Sequence, residues 1–272
     1  MIADLHCHSR FSDGSVSVED LILYAKRNKA EYFALTDHDT LAGVKKAVDF
    51  GKSVGVNVIP GVECSCLDKN RGRSVHLLCY CPKDVDTLQS FLNNTLNSRR
   101  EQKLKIIDKV KELYPVTQED IMRHVGESQS IYECHIMQAL ADMGYTNAIC
   151  GTLMNKLMKK GGSCYVPTDY CDVREAVKAV NDCGGIAVIA HPEEYDSVEL
   201  VEELAAEGSI MGVEIYHPRN SITTREKLLD IATKYNLIVT GGSDFHGEFS
   251  FSPKPIGFCS TDVENLQKIL NY

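Results

Sequence analysis

Two rhythms of apolar and polar positions run along this 272-residue chain. Short runs rich in Val, Ile, Leu and aromatic residues, bounded by Gly or polar residues, predict buried strands: IADL (2–5), YFALT (32–36), VNVIPG (56–61), SVHLLCY (74–80), IAVIA (186–190), GVEIY (212–216) and LIVTGG (237–242). Between many of them, apolar residues recur every three or four positions, as a helix requires: VEDLILYAKRN after Ser17, TLAGVKKAVDFGKSVG, REAVKAVNDCGG, SVELVEELAAEG and TREKLLDIATKYN. Ser17 and Thr40 suit helix starts, where a side-chain oxygen satisfies a free backbone N–H. Gly184-Gly185 and Gly208 suit the stops. Strands alternating with helices predict an α/β fold with a parallel sheet, and a mostly closed barrel is the simplest arrangement of seven such units.

One stretch breaks the alternation. From Asn97 onward only helical pattern is found, through EQKLKIIDKVKELY, TQEDIMRHVG, SIYECHIMQALADMGY and NAICGTLMNKLMKKGG. The expected organisation is therefore a barrel in two parts, 1–96 and 166–272, around a helical insertion, 97–165, that caps the substrate.

Composition narrows the function classes. A formal charge of −9 argues against a duplex DNA-binding surface, which needs clustered Lys and Arg, while a small anionic substrate would need metal ions or a local basic patch. No apolar run is long enough for a membrane span and the N-terminus has no signal-peptide pattern, so a cytoplasmic location is expected. The eleven cysteines then read as free thiols that pack as small hydrophobes.

Candidate chemistry follows the strands. His6 and His8 come after IADL, Asp37, His38 and Asp39 after YFALT, and Glu63 after VNVIPGV. His76 lies within SVHLLCY. His191 follows IAVIA, His217 follows GVEIY, and Asp244 and His246 follow LIVTGG. In parallel α/β barrels the C-terminal strand ends converge on one face, where active sites are built, so these groups are predicted neighbours. Clustered imidazoles and carboxylates need cations for charge balance. Mixed His and carboxylate ligands without Cys favour Mn²⁺, Zn²⁺ or Fe²⁺ over Mg²⁺ or Ca²⁺, and this many ligands call for two or three ions. Such a cluster suits phosphate ester hydrolysis, because the ions activate a water and neutralise charge on the phosphoryl oxygens.

With DLHCHSRFSDGS, ALTDHDT, IPGVE, VHLLCY, AVIAHP and TGGSDFHG, the chain resembles the PHP family, named for polymerase and histidinol phosphatase. The resemblance implies a distorted (β/α)7 barrel. It also implies that His6, His8, Glu63 and Asp244 hold one ion, Asp13, His38 and His246 a second, and Glu63, His76 and His191 a third. Asp13 stands where some relatives have His, which leans the site toward Mn²⁺ or Fe²⁺ over Zn²⁺.

The insertion, the YVP of GGSCYVPTDY and AVNDCGGIAVIAHPEEY resemble the stand-alone bacterial members that remove the 3′-phosphate of nucleoside 3′,5′-bisphosphates. That activity is the leading expectation. The alternatives are a 5′–3′ exoribonuclease acting on 5′-phosphorylated oligonucleotides, a histidinol-phosphate phosphatase, and a non-enzymatic metal-binding module. The expected partner is thus a small anionic nucleotide or short oligonucleotide. His191 or His217 is expected to assist the leaving oxygen as a protonated neighbour. Relatives commonly carry Gly-Arg ahead of the insertion's His, whereas this chain has Tyr132 and Glu133 before Cys134 and His135. Arg10 and Arg219 are the candidate replacements for that cation, and His135 and His217 complete the candidate substrate contacts.

Overall fold

The computed structural model describes residues 1–272. Seven strands lie side by side in chain order in one sheet: β1 (Ile2–Asp4), β2 (Ala30–Leu35), β3 (Asn57–Asp68), β4 (Arg73–Tyr80), β5 (Ile186–Ile189), β6 (Gly212–Tyr216) and β7 (Ile238–Gly241). The helices are α1 (Val18–Arg27), α2 (Val44–Val54), α3 (Val85–Leu113), α4 (Gln118–Val125), α5 (Glu133–Asp142), α6 (Thr152–Met158), α7 (Val173–Asp182), α8 (Val198–Ala206), α9 (Ile222–Tyr235) and α10 (Val263–Leu270). The first and last strands meet at their C-terminal ends. Leu5 N–H donates to Gly241 O at 3.2 Å, Asp244 N–H to His6 O at 2.9 Å, and His8 N–H to Phe245 O at 2.9 Å. These bonds curl the sheet into the expected distorted barrel and bring the residues after β1 against those after β7.

The sheet is not wholly parallel, which corrects the expectation from the alternating pattern. β4 runs antiparallel to both β3 and β5. The physical reason is the connection: residues 69–72 are too few for the crossover of a dozen or more residues that parallel neighbours require, so β3 and β4 form a hairpin. Two consequences follow. β3 continues to Asp68 instead of ending at Gly61, and reversal of β4 puts His76, opposite Ser65, at the end of the barrel where the parallel strands finish.

Ser17 caps α1 as its sequence predicts, with Asp20 N–H donating to Ser17 Oγ at 3.1 Å. Thr40 does not start a helix. α2 begins at Val44, because the backbone over Asp37–Thr40 turns to serve the strand-end site, with Asp39 at φ 58°.

α3 belongs to two cores. Leu88 and Leu92 pack with Val62, Val75 and Val177 in the barrel core, whereas Ile106, Ile107 and Val110 pack with Ile121, Met137 and Leu157 in the core of the helical insertion. No helix is long and apolar enough to cross a membrane. All eleven cysteines are unpaired.

Candidate metal centre

The strand-end side chains converge around one carboxylate. Glu63 Oε2 lies 3.1 Å from His6 Nε2, 3.2 Å from His8 Nε2 and 3.2 Å from His38 Nδ1, while its Oε1 lies 2.8 Å from His76 Nδ1 and 2.9 Å from His191 Nε2. Asp244 Oδ1 sits 3.2 Å from His8 Nε2 and 3.4 Å from His246 Nδ1. Asp13 is placed between His246 Nε2, at 3.4 Å, and His8 Nδ1 and His38 Nε2, each at 3.8 Å. Every ligand candidate named from the sequence is thus in one continuous cluster.

The backbone is shaped to bring them together. Asp39, His191 and Asp244 have φ of 58°, 25° and 53°, in a region that side chains other than glycine seldom occupy. Each such residue costs about 1–3 kcal/mol that the surrounding fold must supply, a pattern typical of functional sites. Gly242 is required by close approach, since a Cβ there would lie 2.3 Å from His6 Cβ. Asp4 ties β1 to the segment after β7 by accepting from the N–H groups of Ser243, at 2.9 Å, and Gly257, at 2.6 Å.

Electrostatics make the cluster a cation site. Burial raises the carboxyl groups of Asp13, Glu63 and Asp244, but the imidazoles around them outweigh it and hold all three well below the usual carboxylate range. Burial likewise depresses His8, yet the Asp244 and Glu63 carboxylates, each 3.2 Å from its Nε2, carry it up to about 10. Burial dominates at His191 and lowers it to about 4. Buried anions here are balanced by protons on imidazoles, a role that metal ions fill with more charge and more directed bonds.

The donor atoms support that fit. His6 Nε2, both ring nitrogens of His8, Asp13 Oδ1, His38 Nδ1, Glu63 Oε2, His191 Nδ1 and His217 Nε2 are sealed from solvent without a hydrogen-bond partner. Buried polar atoms are otherwise almost always paired, so this concentration of orphans on ligand-type atoms marks positions for ions. Their lone pairs group as His8, Asp13, His38 and His246; as His6, His8, Glu63 and Asp244; as His38, Glu63 and His76; and as His6, Glu214 and His217.

Glu214 was not singled out from the sequence. It lies within β6, where its Oε1 and Oε2 are 3.0 and 3.1 Å from His6 Nδ1, and Oε2 also accepts the N–H of His191 at 3.1 Å. A carboxylate holding the far nitrogen of a ligand histidine fixes its tautomer and aim. The only sign of it in the sequence is a charge in the middle of the apolar run GVEIY.

A cavity of about 280 Å³ opens over the cluster, with Glu63, His191 and Asp244 on one wall and Arg99, Lys103 and Lys159 of the insertion on another. Arg219 lines it too, paired with Glu194. Glu133 also lines it, and its Oε1 accepts from Lys103 Nζ at 2.9 Å. His217 is fully buried and does not line this cavity; its Nδ1 accepts the N–H of Arg219 at 3.2 Å, and its Nε2 is 3.5 Å from Asp244 Oδ2. Arg10 and His135 lie elsewhere, around a second cavity of about 260 Å³. Arg10 Nε donates to Ser15 O at 2.9 Å, and His135 Nδ1 accepts the N–H of Tyr132 at 3.2 Å.

Residues 4–129 match the family model described as the PHP domain. A phosphoribosyl 1,2-cyclic phosphate 1,2-diphosphodiesterase from Eggerthella lenta is 38% identical over 260 residues, which cover 95% of this chain and 98% of the relative. The chain belongs to the PHP family. Another PHP relative, a 3′,5′-nucleoside bisphosphate phosphatase from Chromobacterium violaceum, is 30% identical over 255 residues, covering 89% of this chain and 86% of that one. Among solved structures, one from Bifidobacterium adolescentis, classed as a metal-dependent phosphoesterase, superposes with a TM-score of 0.90 at 30% identity, covering 98% and 95% of the two chains. This PHP protein is accordingly an enzyme, a metal-dependent phosphoesterase, and its imidazole and carboxylate cluster is its candidate metal centre.

Proposed function

We propose that this enzyme hydrolyses one phosphoester of a small ribose that carries a second phosphate, the first candidate being the 1,2-cyclic phosphodiester of a phosphoribosyl compound. One observation carries the reading: a single cavity is lined by the imidazole and carboxylate cluster and, from the insertion, by Arg99, Lys103 and Lys159. The first set suits the ester that is cleaved and the second suits a phosphate that is only held. The Eggerthella lenta relative, similar along almost its whole length, favours the cyclic diester.

The 3′-phosphate of a nucleoside 3′,5′-bisphosphate is the second reading. It is favoured by Phe249 and the half-exposed Phe251 at the cavity, faces on which a nucleobase can stack. Both substrates are ribose carrying two phosphate groups.

Two or three divalent ions, Mn²⁺ or Fe²⁺ ahead of Zn²⁺, are assigned to the three ligand groups that contain His8, Glu63 or both, with the insertion, 97–165, capping the substrate. When bound, such ions lower the pKa of a coordinated water and offset phosphoryl charge. The chain's own groups do the rest. Glu63 joins the ligand groups of His6 and His38, Glu214 and His217 position His6 and Asp244, and His191, which alone of the two proposed histidines lines the cavity, meets the substrate as a neutral imidazole, suited to a ligand or hydrogen-bond acceptor and not to the proton donor expected from the sequence. Lys103 neutralises Glu133, so the carboxylate standing where relatives have Arg need not repel a phosphate.

The test is phosphate release and product analysis with Mn²⁺-reconstituted protein on phosphoribosyl 1,2-cyclic phosphate and on adenosine 3′,5′-bisphosphate, beside a His6→Ala, His8→Ala control. Faster, control-sensitive opening of the cyclic ester supports the first reading; preference for the bisphosphate supports the second. Turnover only of 5′-phosphorylated oligonucleotides or histidinol phosphate would overturn both.

A further inference from the structure

Arg99 is, with Lys103, one of two buried cations of the insertion, and nothing in the ligand cluster requires it. It sits on α3, almost wholly buried, with its guanidinium between two rings, 4.6 Å from the centroid of Tyr132 and 5.1 Å from that of Tyr170. Its Nη2 donates to Asp39 Oδ2 at 2.7 Å and to Ser65 Oγ at 2.6 Å. Asp39 follows His38 directly and has left-handed backbone, and its Oδ1 accepts the N–H of Ser65 at 2.8 Å. Ser65 lies two residues beyond Glu63, and Asp39 N–H donates to Glu63 O at 2.9 Å. The Tyr132 ring that covers the guanidinium donates its hydroxyl to His38 O at 3.1 Å. Arg99 therefore pins together, from the insertion side, the two segments that carry His38 and Glu63.

The other side of the guanidinium is unused. Arg99 lines the cavity, and neither Nη1 nor Nε has a protein partner, Nε being sealed from solvent. Of the other cations on the walls, Lys103 is held by Glu133 and Arg219 by Glu194, while Lys159 is an unpaired point charge without the planar fork of Arg99. A planar fork fixed at one end with N–H groups free at the other is suited to an anionic oxygen.

We propose that Arg99 is a two-ended positioning residue: Nη2 holds the segments that aim His38 and Glu63, and Nη1 takes an anionic oxygen of the substrate, so that substrate and metal ions strengthen each other's binding. This rests on the phosphoesterase reading of the cavity, but not on which ribose phosphate is the natural substrate.

The experiment compares wild type with Arg99→Ala and Arg99→Lys, with Arg100→Gln on the exposed side of α3 as a control. Mn²⁺ is titrated calorimetrically into chelator-stripped protein, with and without inorganic phosphate, and hydrolysis of p-nitrophenyl phosphate is followed separately. Loss of a partner that orients ligands should weaken Mn²⁺ binding by about 10–100-fold. Loss of a charge-assisted contact should weaken phosphate binding about tenfold or more.

Mutual enhancement of Mn²⁺ and phosphate binding should be present in wild type and the Arg100 control, absent in Arg99→Ala, and restored in part by added guanidinium. Because Lys keeps the charge but loses the fork, Arg99→Lys should retain weak phosphate binding without restoring Mn²⁺ affinity. Wild-type Mn²⁺ affinity in both Arg99 variants would overturn the positioning end, and weakened Mn²⁺ binding with unchanged phosphate enhancement would overturn the substrate end. If Arg99→Ala fails to fold by circular dichroism, Arg99→Lys decides alone. If wild type cleaves no ribose phosphate, the function reading fails while the calorimetric result still judges Arg99.

Discussion

Glu214 grips His6 from behind: both carboxylate oxygens lie within hydrogen-bond reach of Nδ1, at 3.0 and 3.1 Å, leaving Nε2 aimed at Glu63 and Asp244. Glu214→Gln keeps the shape but removes the charge that holds this tautomer. Mn²⁺ affinity and turnover should each fall about 10–100-fold with little change in melting temperature. Unchanged metal content by plasma emission would show that Glu214 is only a satisfied core carboxylate.

Glu63 touches more of the cluster than any other residue, so its replacement should be the most damaging single change there. Glu63→Gln should lose at least one equivalent of metal and lower kcat on the order of 10²–10³-fold or more. A variant with full metal stoichiometry and kcat within a factor of ten would remove Glu63 from its central place.

Stripping the metal should destabilise the whole chain. The orphaned ligand atoms find partners only in the folded, loaded state, so binding adds stability by mass action, about 2.7 kcal/mol at a free concentration 100 times Kd. For a chain of this size that corresponds to a rise of about 5 °C in Tm. Calorimetric scans with EDTA and with graded Mn²⁺ would read this directly, and a Tm indifferent to Mn²⁺ would contradict it.

His135 supplies a pH dependence away from the metal centre. Burial lowers its pKa to about 4, and its Nδ1 must remain unprotonated to accept the N–H of Tyr132. The unfolded chain takes up the proton near pH 6.5 while the folded chain does not, so this group's contribution is present above that pH and is lost as pH falls toward 4. About 2 kcal/mol of the stability lost between pH 7 and pH 5 should therefore vanish in His135→Asn. Urea titrations of both proteins at the two pH values, without metal, measure the difference.

Much of the centre was legible because chemistry and patterning disagreed locally. His6, His38, His191 and Asp244 each follow an apolar run at a strand end, where neither packing nor propensity calls for such a group. Glu214 and Arg99 were harder to see for opposite reasons. Glu214 is one charge inside a strand and shows itself only when the barrel brings β6 against His6. Arg99 belongs to a helix rich in charge, and only the arrival of Tyr132 and Tyr170 from later in the chain buries it. The reversed β4 had a visible cause in the short link at 69–72, which the regular spacing of apolar runs masked. Arg10 follows the first ligands closely in sequence, yet its side chain lines another cavity, because nearness along the chain does not set side-chain direction.

α3 runs unbroken for 29 residues from the barrel core into the insertion core, a span of about 44 Å at 1.5 Å per residue. It acts as a beam built into both bodies. The roof of the cavity cannot swing on a flexible strap at this side; to lift it, the beam must bend or its buried ends must be pulled from their sockets. On the capping role proposed for the insertion, a substrate would meet a chamber whose α3 side is set before it arrives.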